Sequence, residues 1–238
     1  MGFAATKVIA QASEIYHVII ASRTLQKAET AKTELESLGV NGKQLSTVQL
    51  EVTDEQSIEQ AAAFVQDKFG RLDVLINNAA VGSRGDDVKT RFQESMDVNV
   101  VGPAVTADHF RPLLLKSKNP YSIYVSSGQG SFGQLAGKPE VYNRGPPKGE
   151  AYRVSKAALN MIAVCESMEY GPLGLKVFAM CPGLVRSKLR GPSEEEQSAW
   201  GHAGDATVSG ETLLSIVQGK RDADVGKLVY KNGGVYPW

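Results

Sequence analysis

The stretch AYRVSKAALNMIAVCESMEYGPLGLKVFAMCPG, residues 151–183, reads as a helix, a strand and a tight turn in succession. The spacing predicts a helix over 151–170, an apolar strand over 176–180 and a turn at Cys181-Pro182-Gly183. Tyr152 and Lys156 stand near the helix start. Residues at i and i+4 share one helical face, so the phenol and the ammonium are neighbours. A phenol titrates near pH ~10, and a cation held beside it favours the phenolate and lowers that value. Such a pair can give a proton to a carbonyl being reduced, or take one from an alcohol being oxidised. The same spacing serves equally as the decoration of a helix surface in a chain with 8 Tyr, so its neighbours decide.

Upstream, the chain reads as helix from about residue 2. A strand follows at 17–22, a helix at 25–38 that stops at Gly39, and a strand at 47–52. Thr53-Asp54-Glu55-Gln56 has the form of a capping box opening a helix to Phe69, ended by Gly70. A strand at 74–77, a long helix over 91–116 and a strand at 122–126 lead into the opening stretch. Downstream, 227–230 is expected to be the last strand. Strands alternating with helices imply βαβ units, and hence an α/β fold with a doubly wound parallel sheet. Such sheets bind ligands beyond the carboxyl ends of their strands.

Composition narrows the class. The 238 residues carry no formal net charge, with 42% hydrophobic and 22% charged residues. That balance offers no electrostatic reason to expect nucleic acid or an anionic membrane. The two cysteines, Cys165 and Cys181, form no disulfide framework and fit a reducing compartment, the cytoplasm. No apolar run is long enough to span a membrane, and no basic-then-apolar leader opens the chain. His17, His109 and His202 are too scattered to argue for a metal. No sequence feature assigns an oligomeric state.

The remaining chemistry-bearing residues fall at strand ends. Strand 17–22 ends in Ser22-Arg23-Thr24. An acidic residue there would hold the ribose 2′-hydroxyl of NAD, whereas Arg23 suits a 2′-phosphate; a surface Arg opening a helix is the plainer reading. Strand 74–77 ends in Asn77-Asn78-Ala79-Ala80, where small residues and amides allow close approach of a cofactor, or make a plain turn. Asn99 sits inside a helix, a poor place for Asn unless its amide has a task. Ser126-Ser127-Gly128 could hold a substrate oxygen or cap the next turn.

Together these residues resemble the short-chain dehydrogenase/reductase family. The resemblance spans nearly the whole chain and rests on Asn77-Asn78-Ala79-Ala80, Asn99, Ser126-Ser127, Tyr152-x-x-x-Lys156 and Pro182-Gly183, in that order. It implies a Rossmann-like single domain over 1–238 and an oxidoreductase that uses NADP(H) on a small carbonyl or alcohol substrate. Tyr152 would be the general acid/base. Lys156 would bind the nicotinamide ribose and lower the Tyr pKa, Ser127 would orient the carbonyl, and Asn99 would hold a water in a proton relay. Ser22, Arg23, Glu51, Val52, Asn77, Asn78 and Ala79 would line the cofactor, with Val185 and Ser187 at the nicotinamide carboxamide. Gly210-Glu211-Thr212-Leu213-Leu214 and the ending Gly233-Gly234-Val235-Tyr236-Pro237-Trp238 look like the carbonyl-reductase branch.

The chain departs from the family in four places. Ser127 and Tyr152 stand further apart than usual, so 128–149 and 186–209 are expected to form substrate loops. Phe132, Leu135, Tyr142, Leu189 and Trp200 there suggest an apolar or aromatic carbonyl compound. Ala80 replaces a usual Gly, and Glu51 a common Asp. The family's first strand and most of its Gly-rich phosphate turn have no counterpart before Met1-Gly2-Phe3, so an N-terminally truncated form is expected, with a gap between strands 17–22 and 74–77. Three readings follow: an NADPH-dependent carbonyl reductase, an inactive binding or regulatory module that lacks the phosphate loop, and an extended nucleotide-sugar-type dehydrogenase. The last is weakened because the chain ends soon after its last strand.

Overall fold

Alternation along the strands sets up two helical layers. In β1 (Val18–Ser22), Val18 and Ile20 pack towards α1 (Gly2–Ala12) and α2 (Leu25–Ser37). Ile19, pointing the other way, meets the core under α3 (Glu55–Phe69), as does Val48 of β2 (Leu45–Gln49). The computed structural model describes residues 1–82, 85–142, 149–231 and 233–238, the side chains of Val141 and Tyr142 excepted.

The chain continues through β3 (Val74–Asn77), α4 (Val88–Met96), a π-helical turn (Asp97–Val101) and α5 (Gly102–Leu114). Then come β4 (Tyr121–Val125), two short helices α6 (Phe132–Leu135) and α7 (Pro139–Tyr142), and α8 (Glu150–Tyr170). The last third holds β5 (Lys176–Cys181), α9 (Glu194–Gln197), α10 (Thr207–Val217), β6 (Leu228–Tyr230) and β7 (Val235–Tyr236). In β4 and β5, Tyr121, Ile123, Val125, Phe178 and Met180 face α1 and α10, while Tyr124, Val177, Ala179 and Cys181 face α5 and α8. Burying Phe178 or Leu213 completely is worth about 2 kcal/mol each.

The strands form two separate ladders. One is the parallel pair β1–β2; the other has five strands in the order β3-β4-β5-β6-β7, parallel except for β7. Among the described residues nothing pairs with the open edges of β1 and β3. The expected gap is therefore present, as a split sheet. The residues along these edges are mostly half-buried rather than buried, so water can meet backbone groups that would otherwise be orphaned. Helices on both faces bridge the split: Val18, Val74 and Ile76 share one cluster with α1 and α10, and Ile19, Val48 and Leu75 another with α3 and α5.

Several expected boundaries shift, each for a local reason. β2 occupies 45–49 rather than 47–52, because Glu51 turns the chain: its carbonyl accepts the Asp54 N–H at 3.1 Å. α3 is capped by Asp54, whose Oδ1 accepts from Gln56 N and Ser57 N, and not by a Thr53 box. The Thr53 hydroxyl instead donates to Glu51 Oε1 at 3.1 Å. The helix expected at 91–116 starts earlier, at an Asp87 cap, and is broken by the π turn around Asn99. α10 begins inside the expected loop 186–209 and runs beyond it. β7 follows the expected last strand, turned back through Gly233 at φ 78°.

Candidate active site

The carboxyl ends of β4 and β5 and the first turns of α8 bring the expected chemistry together. α8 is fixed at its start by Arg91, buried at 5% exposure, whose Nη2 donates to Glu150 Oε1 at 2.9 Å. The same guanidinium donates to the Gly85 and Asp86 carbonyls. Ser127 Oγ accepts the Gln129 N–H at 3.1 Å, closing the turn after β4, and the same hydroxyl tends to lower the Tyr152 phenol. Lys156, 1% exposed, lies with Nζ 5.7 Å from the Tyr152 ring centroid and donates to the Val125 carbonyl at 2.9 Å.

The electrostatics differ from the sequence expectation. Burial pushes the Tyr152 phenol up to about 12, with Cys181 adding to the rise; the Ser127 hydrogen bond and the Arg190 charge oppose it. Burial is also the larger influence on Lys156, driving its ammonium down to about 8. Lys156 therefore does not lower the phenol here. Desolvation dominates both groups, and the lysine's proton is turned towards a strand carbonyl.

Asn99 is fully buried, and its amide has a structural task. Nδ2 donates to the Val81 carbonyl at 2.9 Å and to Ser155 Oγ at 3.0 Å, and Oδ1 accepts the Val81 N–H at 2.8 Å. Ser155 Oγ donates in turn to the Tyr152 carbonyl at 2.8 Å. The amide thus ties the loop after β3 to the helix turn that carries the phenol. The π turn that presents it is a feature common at functional sites. Ser126, beside Ser127, is structural: its hydroxyl donates to the Lys156 carbonyl and to Asn160 Oδ1. Gly130 lets the loop touch α8; a Cβ there would stand 2.5 Å from the Lys156 carbonyl carbon.

The residues expected to hold the cofactor spread along the strand ends. Ser22 is half-buried and Arg23 exposed at the end of β1. Glu51 is engaged with Thr53, and the Val52 carbonyl lies 2.8 Å from where a Gly102 Cβ would be. Asn77 Nδ2 is buried and has no hydrogen-bond partner among the described residues, while Ala79 is exposed. Asn78 Nδ2 lies 2.9 Å from a Cβ built on Gly2, so the first turn of α1 faces the end of β3. Val185 is buried and bridged to Gly204, and Ser187 Oγ accepts the Leu189 N–H at 3.2 Å. An orphaned buried amide, an exposed cation and a helix start aligned along these ends fit a dinucleotide. Among the described residues no group of three or more His, Cys, Asp or Glu side chains could hold a metal ion.

Some contacts had no signal in the sequence. Phe132 and Trp200, expected to line a pocket, are 73% and 72% exposed. The Tyr142 side chain lies outside the described residues. Residues 233–238 instead brace the turn after Ser127. Tyr236 packs on Gly128, the Ser131 hydroxyl donates to the Pro237 carbonyl, and Gly133 N donates to the Trp238 carbonyl at 2.9 Å. Arg190, in a segment without periodicity, is tied to the backbone carbonyls of Val185, Glu196 and Gln197, and its charge acts on the Tyr152 phenol.

Comparison with known proteins agrees with this geometry. The family model described as short chain dehydrogenase matches residues 1–198. The short-chain dehydrogenase/reductase tropE of Talaromyces stipitatus is 32% identical across 100% of this chain and 94% of its own length. The short-chain dehydrogenase/reductase eupG of a Phoma species is 34% identical with the same coverages. Among solved structures, an NADPH-bound carbonyl reductase from chicken fatty liver superposes with TM-score 0.73 at 28% identity, over 92% of this chain and 86% of that one. A gluconate 5-dehydrogenase from Burkholderia cenocepacia, at 16% identity and TM-score 0.79, over 98% of this chain and 89% of that one, shares the fold. The chain belongs to the short-chain dehydrogenase family, whose members are oxidoreductases with a Rossmann-like α/β fold.

Proposed function

We propose that this short-chain dehydrogenase is an NADPH-dependent carbonyl reductase, running in either direction, with Tyr152 as general acid/base. The observation that carries the reading is the convergence of Ser127, the Tyr152 phenol and the buried Lys156 ammonium, Nζ 5.7 Å from the phenol ring centroid, at the ends of β4 and β5. NADPH, held by Ser22, Arg23, Asn77, Asn78, Val185 and Ser187, would supply the hydride. A carbonyl oxygen docked between Ser127 Oγ and the Tyr152 hydroxyl accepts a hydrogen bond from each. As negative charge develops on it, the phenol transfers its proton and leaves a phenolate. The raised phenol keeps that proton in place at neutral pH, ready to be given. Lys156, driven down to about 8, lies with Nζ 5.7 Å from the phenol ring centroid. Asn99, through Ser155, holds the turn on which the phenol stands. The NADPH preference rests on Arg23, and a cytoplasmic setting on the two free cysteines.

The test is NADPH oxidation with a panel of aldehydes and ketones, followed in the parent and in Tyr152→Phe. The substitution keeps the ring and removes the proton. Turnover should fall by about 10²–10⁴, the range for a lost general acid, with the melting temperature little changed. Parent-like turnover in Tyr152→Phe would mean that another group gives the proton.

A further inference from the structure

The turn that follows Ser127 contains Gly128, Gly130 and Gly133. Glycine backbone is too permissive to hold a neighbouring side chain in one place, so the position of Ser127 Oγ has to be imposed from outside. Three sides impose it. From β5, Cys181 Sγ accepts the Gly128 N–H at 3.1 Å. From α8, Asn160 Nδ2 donates to the Gly130 carbonyl at 3.2 Å and Arg153 Nε to Gln129 Oε1 at 3.0 Å. The third side is the segment 235–238. A Cβ on Gly128 would stand 2.9 Å from Tyr236 Cε2, so that ring lies against the residue next to Ser127. A Cβ on Gly133 would stand 2.7 Å from Pro237 Cγ, and Gly133 N donates to the Trp238 carbonyl at 2.9 Å.

Segment 235–238 is itself anchored, although β7 alone is too short to hold it. Tyr236 stacks on Tyr230 of β6, with ring centroids 4.7 Å apart, and pairs with Leu228 in the ladder. The buried Arg221 fixes the bend between the two strands. Its Nη2 donates to the carbonyls of Gly233 and Gly234, at 3.3 Å and 3.0 Å, and its Nη1 to the Tyr230 carbonyl at 3.3 Å. Asp224 Oδ2, 2.7 Å from Arg221 Nε, balances the charge. A rigid path therefore runs from Arg221 through the bend and the Tyr236 ring to Gly128. We propose that Tyr236 is a positioning residue, whose ring holds the Gly128 turn down and so fixes where Ser127 Oγ meets the substrate oxygen. This rests on the carbonyl-reductase reading, which places the carbonyl at Ser127, and it assigns a part in that reaction to a side chain that acts only through the turn.

The experiment is a double-mutant cycle on turnover of the aldehyde and ketone panel with NADPH. It uses the parent, Tyr236→Ala, Ser127→Ala and the variant carrying both changes, with Tyr236→Phe as the conservative control. Each is checked for a cooperative melt, and NADPH affinity is measured by calorimetry. Tyr236→Ala should lower kcat by about ten- to a hundredfold, the effect of misplacing a group by about an ångström, with NADPH affinity unchanged. Tyr236→Phe keeps the ring and should keep most of the turnover. In the Ser127→Ala background, Tyr236→Ala should cost less than about twofold, because residues that act through one another are not additive. Should Tyr236→Ala not fold, Gly133→Ala makes the same comparison, since its Cβ displaces Pro237 and leaves the Ser127 and Tyr236 side chains intact. Parent-like kcat in Tyr236→Ala overturns the proposal, as does an undiminished loss in the Ser127→Ala background. A loss in Tyr236→Phe as large as in Tyr236→Ala also overturns it, because the hydroxyl and not the ring would then matter. If the parent turns over no carbonyl, the carbonyl-reductase reading has failed by itself, and hydrogen exchange decides. Exchange of 127–133 about tenfold or more faster in Tyr236→Ala, with 121–125 unchanged, sustains the hold of the ring on the turn, and unchanged exchange overturns it.

Discussion

The two ladders of the split sheet differ in almost every physical respect. In the five-stranded ladder, β4 and β5 are hydrogen-bonded on both sides, and Ile123, Tyr124, Val177, Phe178, Ala179 and Met180 are entirely shielded from solvent. Every residue of the proposed proton chemistry is anchored on or against it. In the two-stranded ladder each strand has one partner, β1 is mostly half-buried, and Arg23 stands open at its end. A two-stranded ribbon is marginal unless helices cover it, and here α1, α2 and α3 do so. The difference separates two tasks. Rigidity is concentrated where the proposed proton transfer must be placed to a fraction of an ångström, while Arg23, the cation proposed to select the cofactor, sits on the part held mainly by side-chain packing.

Hydrogen exchange is the strongest way to break that comparison. Amides of β4 and β5 exchange only through large-scale opening, whereas those of β1 and β2 need only local opening. Protection in 121–125 and 176–181 should exceed that in 18–22 and 45–49 by about a hundredfold or more. Equal protection would show that the two ladders open as one unit and that the helices weld the split completely.

A pH titration sharpens the comparison within the rigid ladder. Lys156 is driven from 10.5 in the free side chain to about 8 in the folded chain by burial. Between those values the unfolded chain binds more protons than the folded one, so stability attributable to Lys156 rises with pH over that window. Tyr152 acts oppositely: raised from 10.0 to about 12, it makes stability fall as pH climbs between those values. Urea midpoints from pH 8 to pH 10 should therefore rise in the parent relative to Lys156→Met, by on the order of 1–3 kcal/mol. Parallel curves for the two proteins would mean that Lys156 stays charged in the fold.

What can be read from the sequence follows from how local each signal is. Apolar strands and helix stops are written in adjacent residues, so β1, β3, β4, β5 and α8 fall close to where composition places them. The i, i+4 spacing of Tyr152 and Lys156 is equally local, and it holds. The direction of the Tyr152 shift does not, because desolvation comes from β4, β5 and the loops packed over the phenol, none of them adjacent in sequence. Arg190 is invisible for the same reason: its three acceptors lie at residues 185, 196 and 197, positions that no short sequence pattern links. β7 is two residues long and follows a Gly-Gly turn, too short for any alternation. Asn99 shows an intermediate case. Its awkward position in a helix announces a task, and only the structure shows that the task is to tie Val81 to Ser155.

The smallest effect tests the other ladder. Arg23 is exposed at the end of β1, so its substitution should leave the core and the phenol untouched. A carboxylate at that position would repel a 2′-phosphate and accept hydrogen bonds from a ribose 2′-hydroxyl. Arg23→Glu should therefore move the NADPH-to-NADH ratio of kcat/KM by about tenfold or more towards NADH, the worth of one charge-assisted hydrogen bond. The same variant should keep the parent's pH-dependent stability, because that belongs to the five-stranded ladder. A cofactor ratio that does not move would remove Arg23 from the cofactor site. A shift in both quantities together would show that selection and chemistry are not divided between the ladders, and that the split in the sheet has no functional counterpart.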